Sequence, residues 1–256
     1  GYGTNITAVT TTPGTYVSVQ DGPWSDPATW GGCSPPSSVI GNTIYVGHNV
    51  SSGTRTVSQY ADLIITSGGV LTVSGNFNVG NQGDVTVQSG GSLVVGGSLD
   101  MGTSVASLTS TGGSISVGGN FSSGGTPSVD LGNTTIGGSL VLVDTDFNVT
   151  GDLIIGGDFT TSGVTDVDVS GSVTVGGALS VTGGEFTVQA NLTTGGGISA
   201  SGVADIDVGG NIAAGGALTI IGGEFTAQGD VTSVGNFNIT SGADVDFYGD
   251  TDITGY

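Results

Sequence analysis

The sequence predicts an all-β, single-domain parallel β-solenoid, and three observations carry that prediction. Residues 176–189, GGALSVTGGEFTVQ, return 39 positions later as residues 215–228, GGALTIIGGEFTAQ. A fixed period of this kind decides architecture before any single residue is interpreted. Each 39-residue unit splits into two similar halves, marked by Leu140, Phe159, Leu179, Ile198, Leu218 and Phe237 at intervals of 19 or 20. Phe121, Leu99 and Phe77 extend the series backwards at intervals of 19, 22 and 22. Within each half, apolar and polar residues alternate in three short bursts, as in Leu179-Ser180-Val181, Phe186-Thr187-Val188 and Leu192-Thr193-Thr194.

Alternation with period two predicts strands, because successive side chains point to opposite faces. The bursts are too short and too rich in Gly, Ser, Asn and Asp for helices, and no amphipathic helix is legible anywhere. Three strands and three turns in 19–20 residues make one coil, paired with the next at about 4.8 Å along the axis. Equivalent inward residues then stack, which predicts a column of Phe147, Phe186 and Phe225, with Phe247 two coils on and displaced by one position. Glycine pairs are expected at corners that a Cβ would obstruct.

In chain order, residues 1–20 are Thr-rich, with Tyr2, Tyr16, Val17 and Val19 as apolar marks; they read as an N-terminal arm or edge strand. Residues 21–62 read as an N-terminal cap and the first irregular coils. Both tryptophans, four of the six prolines and Cys33 are concentrated there. Trp24 and Trp30, fixed by proline-rich turns, suit the covering of a first coil; a carbohydrate-stacking platform is the alternative. As the single cysteine, Cys33 excludes an intramolecular disulfide and reads as a small buried loop residue or an intermolecular bridge. Residues 63–256 are the regular coils. The last, with Phe237, Val245, Phe247, Tyr248 and Tyr256, has no recognisable cover and is expected to present an open template.

Charge excludes several partners. One arginine (Arg55), one histidine (His48), no lysine and 21 acidic residues give a formal charge of −20. Nucleic acids and anionic membrane surfaces demand clustered cations. No apolar run approaches the roughly 20 residues of a membrane span. The acidic surface points instead to solubility and divalent cations. Its most ordered part is Asp166-Val-Asp168, Asp205-Ile-Asp207 and Asp244-Val-Asp246, again 39 residues apart, with Glu185 and Glu224 between them and Asp146 continuing the line. If Val167, Ile206 and Val245 face inward, these carboxylates form an outward ladder. Calcium bridging their oxygens would relieve the repulsion; a solvated face separated by Thr187 and Thr226 is the simpler reading. The nonapeptide of calcium-binding β-rolls is missing.

Catalysis has little to work with. Lyase or hydrolase chemistry on polysaccharides needs basic groups or a carboxylate pair with different proton affinities, and the sequence offers Arg55, His48 and near-identical outward acids. His48 reads as a turn residue near the cap, and no enzyme or cofactor is expected beyond calcium. An ice-binding Thr array is also disfavoured, because acidic coils separate Thr187 from Thr226.

Trp24 and Trp30, then Pro35 and Pro36, then Asn42, Ile44, Val46 and Val50, then repeated Gly-Gly-x-Leu-x-Val coils from Gly68 onward form one ordered pattern. Over almost the whole chain it resembles β-helical regions of large secreted bacterial surface proteins, adhesin-like chains and G8-like modules among them. That resemblance implies an exported cell-surface protein. Many such proteins lose a C-terminal sorting domain; no such domain is seen in this sequence, which fits removal, and the start at Gly1 fits a processed or trimmed chain. The expected function is structural: a subunit that stacks head to tail into a surface filament. It would do so through Tyr2, Tyr16, Trp24 and Trp30 at one end and Phe237, Val245, Phe247, Tyr248 and Tyr256 at the other. The alternative is an adhesin stalk that binds surface glycans.

Overall fold

The computed structural model describes residues 14–36, 38–102, 105–125, 127–240 and 242–255. They form the expected β-solenoid: three parallel sheets of twelve, twelve and eleven strands. The first sheet runs from Thr15–Val17 to Ala243–Phe247, the second from Gly22–Pro23 to Thr251–Ile253, and the third from Ser38–Ile40 to Phe237–Ile239. Every strand pairs with its counterpart one coil away, so the backbone hydrogen bonds run along the axis. Twelve layers at about 4.8 Å make a rod roughly 55 Å long. Among the described residues the one helical turn is Pro27–Trp30, a 3-10 turn capped by the Asp26 carboxylate, which accepts from the Ala28 N–H at 2.9 Å.

The apolar series read from the sequence is a column of the third sheet. Phe77, Leu99, Phe121, Leu140, Phe159, Leu179, Ile198, Leu218 and Phe237 share one register position. In the first sheet the matching inward column is Phe147, Val167, Phe186, Ile206, Phe225 and Val245. Here a phenyl group alternates with a β-branched residue. Rings on every coil would crowd a narrow core at the layer spacing; with a ring on every second coil, Phe147 meets Phe121 edge-on at 5.8 Å and Phe186 meets Phe159 edge-on at 5.5 Å. That alternation is the physical origin of a 39-residue unit made of two coils. Phe247 departs from expectation: it lies one coil beyond Phe225 and two positions along, above Ala227. There it occupies the room that a methyl side chain leaves and packs edge-on to Phe225 at 6.0 Å.

Glycine pairs sit at corners, as expected, and the reason is close axial approach more than dihedral freedom. Gly137, Gly156, Gly176, Gly195 and Gly215 stack, and a Cβ on Gly176 would lie 2.3 Å from the Gly156 carbonyl oxygen. Gly184 needs both properties, with φ of +76° and its Cβ position 2.0 Å from the Thr165 carbonyl oxygen.

A second axial device lies in the turns. At the corner between the second and third sheets the Asn76 side-chain oxygen accepts from the Ser98 N–H at 3.1 Å. Asn120 then accepts from Ser139 at 3.0 Å and Asp158 from Ala178 at 2.9 Å. At the corner between the first and second sheets, Asn191 accepts from Asn211, Asn211 from Asp230 and Asp230 from Asp250, at 2.8, 2.9 and 2.9 Å. Each side chain thus satisfies a backbone donor one coil on, where no strand ladder reaches.

Candidate functional site

Three places on the rod carry more than scaffold chemistry: its two ends and its acidic face. At the N-terminal end the core is plugged. Trp24 is 2% and Trp30 7% exposed, and their rings meet at 5.1 Å, near edge-on. The Trp30 indole N–H donates to the Trp24 carbonyl at 2.8 Å, and the Trp24 indole N–H to the Pro36 carbonyl at 3.3 Å. Arg55 stands at the register position of Phe77, so the apolar column ends in a half-buried guanidinium 4.7 Å from the Trp24 ring centre. Burial pushes its pKa down. The indoles lie where the covering of a first coil would place them, and, being buried, they offer no face to a sugar, which goes against the alternative of a stacking platform at Trp24 and Trp30. Tyr16 is partly buried against this core, whereas Tyr2 lies outside the described residues.

Beside the plug, the Ser18 hydroxyl lies 3.1 Å from His48 Nδ1 and accepts from the Gly47 N–H at 2.9 Å. The Asp21 carboxylate accepts from the Asn49 backbone and side-chain amides at 2.9 and 3.0 Å. The backbone bond first, then the side-chain bond, lowers its pKa. Both basic residues are therefore engaged in joining the first two coils. Cys33 is exposed, contrary to the buried reading: it follows Gly31 and Gly32, outside the strands that enclose the core.

At the C-terminal end the described coils are open. The twelfth coil gives Ala243–Phe247 to the first sheet and Thr251–Ile253 to the second, and the third sheet stops one layer lower at Phe237–Ile239. Phe237, Val245 and Phe247 are only partly buried, Ile239 is 48% exposed and Tyr248 67%. A groove of about 530 Å³ lies here between Asn236, Phe237, Asn238, Ile253 and Gly255. Tyr256 lies outside the described residues.

The acidic face is the outer surface of the first sheet. Asp146, Asp166, Glu185, Asp205, Glu224 and Asp244 form an unbroken column over six coils. In the adjacent column, Asp130, Asp168, Asp207 and Asp246 alternate with Asn148, Thr187 and Thr226. The Asn148 amide donates to Asp130 and Asp146 at 3.1 and 2.9 Å, so these spacers also satisfy acceptors. Burial, then Asp168 and Asp146, raises the pKa of Asp166; burial, then Asp207, raises that of Asp205. Repulsion from Asp205 leads the causes that raise the pKa of Glu224. Asp205 also holds one buried oxygen, Oδ1, without a hydrogen-bond partner. Among the described residues no three His, Cys, Asp or Glu side chains converge on one point to hold a metal ion. The ladder therefore spreads charge along a line.

The third sheet's outer surface is different. Thr160, Ser180, Ser199 and Thr219 form one column and Ser162, Thr182 and Ser201 another, bounded by Val141, Val143 and Ile221. Among the described residues no helix is long and apolar enough to cross a membrane. Comparison with protein-family models, curated proteins and solved structures gives no match. The fold itself is that of a repeat protein and is consistent with a structural role.

Proposed function

We propose that this chain is a non-catalytic, extracellular structural subunit that stacks head to tail into a surface filament. The observation that carries this reading is the axial ladder itself: all three sheets of the described residues are parallel and present strand edges along one axis, so the coils of a second copy can continue them. Such an edge templates a further layer, and a heterologous contact of unlike ends propagates without closing. Charge agrees with unlike ends meeting. Residues 126–256 hold 16 of the 21 acidic residues and no basic one, so two C-terminal ends repel. The resemblance to bacterial surface chains supports the extracellular setting, and calcium or other cations gathering along the acidic ladder would strengthen the rods. Negative-stain electron microscopy with and without calcium tests this. Long unbranched filaments are expected; dispersed rods of roughly 55 Å in both conditions would refute it.

One observation favours the adhesin reading as a second possibility. Tyr60 is 72% exposed at a corner where Gln59, Tyr60, Asn81 and Gln82 all have positive φ, and Gln59, Asn81, Gln82 and Val105 line a groove of about 350 Å³ there. An uncharged aromatic-and-amide corner suits the apolar face and hydroxyls of a neutral sugar, and strained backbone of this kind concentrates at binding sites. On a glycan array, Tyr60→Ala is expected to weaken any hit at least about tenfold; an unchanged signal removes the corner from consideration.

A further inference from the structure

Acceptors of N-linked sugar carry the signature Asn-x-Ser/Thr, and the described coils have it at Asn49, Asn120, Asn133, Asn148, Asn191 and Asn238. On this fold the signature has a fixed facing. Because strand residues alternate, x is the inward residue, and the asparagine and the hydroxyl share the outer face of one sheet; Val50, Phe121, Thr134, Val149 and Leu192 are accordingly buried. The amide nitrogen takes the sugar and the hydroxyl marks the acceptor, so both must be free.

Hydrogen bonding separates the six. Asn148 gives its amide hydrogens to Asp130 and Asp146, and its Thr150 hydroxyl donates to the Leu131 carbonyl at 3.2 Å. The Asn49 amide donates to Asp21 at 3.0 Å. Behind Asn120 the Ser122 hydroxyl donates to Asp100 at 2.9 Å, and behind Asn238 the Thr240 hydroxyl donates to the Ile220 carbonyl at 3.4 Å. Asn133 and Asn191 differ. Both are exposed at the corner between the first and second sheets, one residue ahead of Thr134–Ile136 and Leu192–Thr194. Their side-chain oxygens accept from the Asp152 and Asn211 N–H groups at 2.9 and 2.8 Å. A backbone donor there fixes the amide's orientation, with oxygen toward the next coil and nitrogen toward solvent. The oxygens lie against Gly151 and Gly210, where a Cβ would come within 2.1 and 2.5 Å of them. Among the described residues neither Nδ2 has a hydrogen-bond partner, and neither do the exposed Thr135 and Thr193 hydroxyls.

We propose that Asn133 and Asn191 are N-glycosylation sites of the folded rod. The inference rests on the extracellular reading above. The sugar donor is an oligosaccharide joined through its anomeric carbon to a lipid diphosphate, and the catalyst is the cell's transferase. Nδ2 forms a bond to the anomeric carbon and gives up one proton. The bond from that carbon to the diphosphate oxygen breaks, and the lipid diphosphate leaves with the electron pair. Oδ1 keeps its bond to the next coil, so the coil stays closed. The two sites stand three coils apart in one column, about 14 Å, which separates the attached sugars. They project from the flank of the rod and leave both ends clear for stacking. Asn211 is an internal control: its oxygen accepts from the Asp230 N–H at 2.9 Å in the same geometry, but Ala213 stands where the hydroxyl is needed.

Peptide mapping by mass spectrometry of the full chain from its native cells should find glycan on Asn133 and Asn191 and none on Asn148 or Asn211. Purified folded chain, given a lipid-linked oligosaccharide and a single-subunit transferase that reads Asn-x-Ser/Thr alone, should take up two glycans. Thr135→Val with Thr193→Val, both on the outer face, should abolish both additions with the β-sheet circular dichroism unchanged. Ala213→Thr should create a third, at Asn211. A native chain that is bare at Asn133 and Asn191 overturns the proposal, as does a folded chain that takes no sugar or takes it first at Asn148. Antibody labelling of intact cells keeps the two readings apart. Bare chain at the cell surface overturns the sites and leaves the extracellular reading standing, whereas bare chain found only inside refutes both.

Discussion

Phe186→Ala is expected to destabilise the rod by about 3–5 kcal/mol, the cost of removing a fully buried phenyl group whose surroundings relax only partly. Phe186 is 0% exposed, stacks between Val167 and Ile206, and meets Phe159 edge-on. At about 2–4 °C per kcal/mol for a chain of this length, its melting temperature should fall by about 6–20 °C. Each coil contacts only its neighbours, so a cavity in the middle also weakens the coupling between the halves, and the transition should broaden or split. Phe237→Ala is the comparison. That ring is only partly buried at the open end, so its loss should cost less than half as much. Calorimetry of the two variants decides the matter: equal losses would mean that the core is not packed as a graded column.

The second large effect concerns acidity, and its sign is opposite to that of most proteins. Asp166 and Asp205 have pKa values raised by burial first and then by neighbouring carboxylates, and Glu224 has one raised first by Asp205. A carboxyl group whose pKa is higher folded than unfolded favours folding when protonated. Its contribution is fully present below the unfolded value of about 4 and is lost as pH rises through the folded one. Asp21 works the other way, since its pKa is lowered, but it is one group against three on the ladder. Monomeric protein in low salt should therefore melt higher at pH 5 than at pH 8. The gap should narrow with added salt or calcium, which screen the exposed face. Asp205→Asn with Glu224→Gln should close much of the gap by raising the value at pH 8. A melting temperature that falls from pH 8 to pH 5 would show that the ladder does not govern stability.

How much of this was legible in the sequence depends on the kind of residue. The Phe77 to Phe237 column could be read because apolar residues bury by type, and a constant interval transfers directly to register. The acidic ladder could be read because Val167 and Ile206 fix the facing of their neighbours. Phe247 was misplaced because a one-coil offset combined with a two-residue shift is resolved by the methyl of Ala227 below it, not by spacing. The burial of Trp24 and Trp30 depends on a 3-10 turn that folds the loop back over the core, and aromatic residues among prolines carry no sign of inside or outside. Asn76, Asn120 and Asn211 stand in the polar stretches between the apolar bursts, but their bonds to the next coil are a tertiary property that no local pattern marks.

Hydrogen bonds that all lie along one axis also determine how the rod yields to force. Tension between its ends loads them lengthwise, so the rod opens one coil at a time from an end instead of shearing across many bonds at once. Each coil releases about 20 residues, or roughly 70 Å of extended chain. A tethered rod would lengthen in short steps under load, as a spring does rather than a strut.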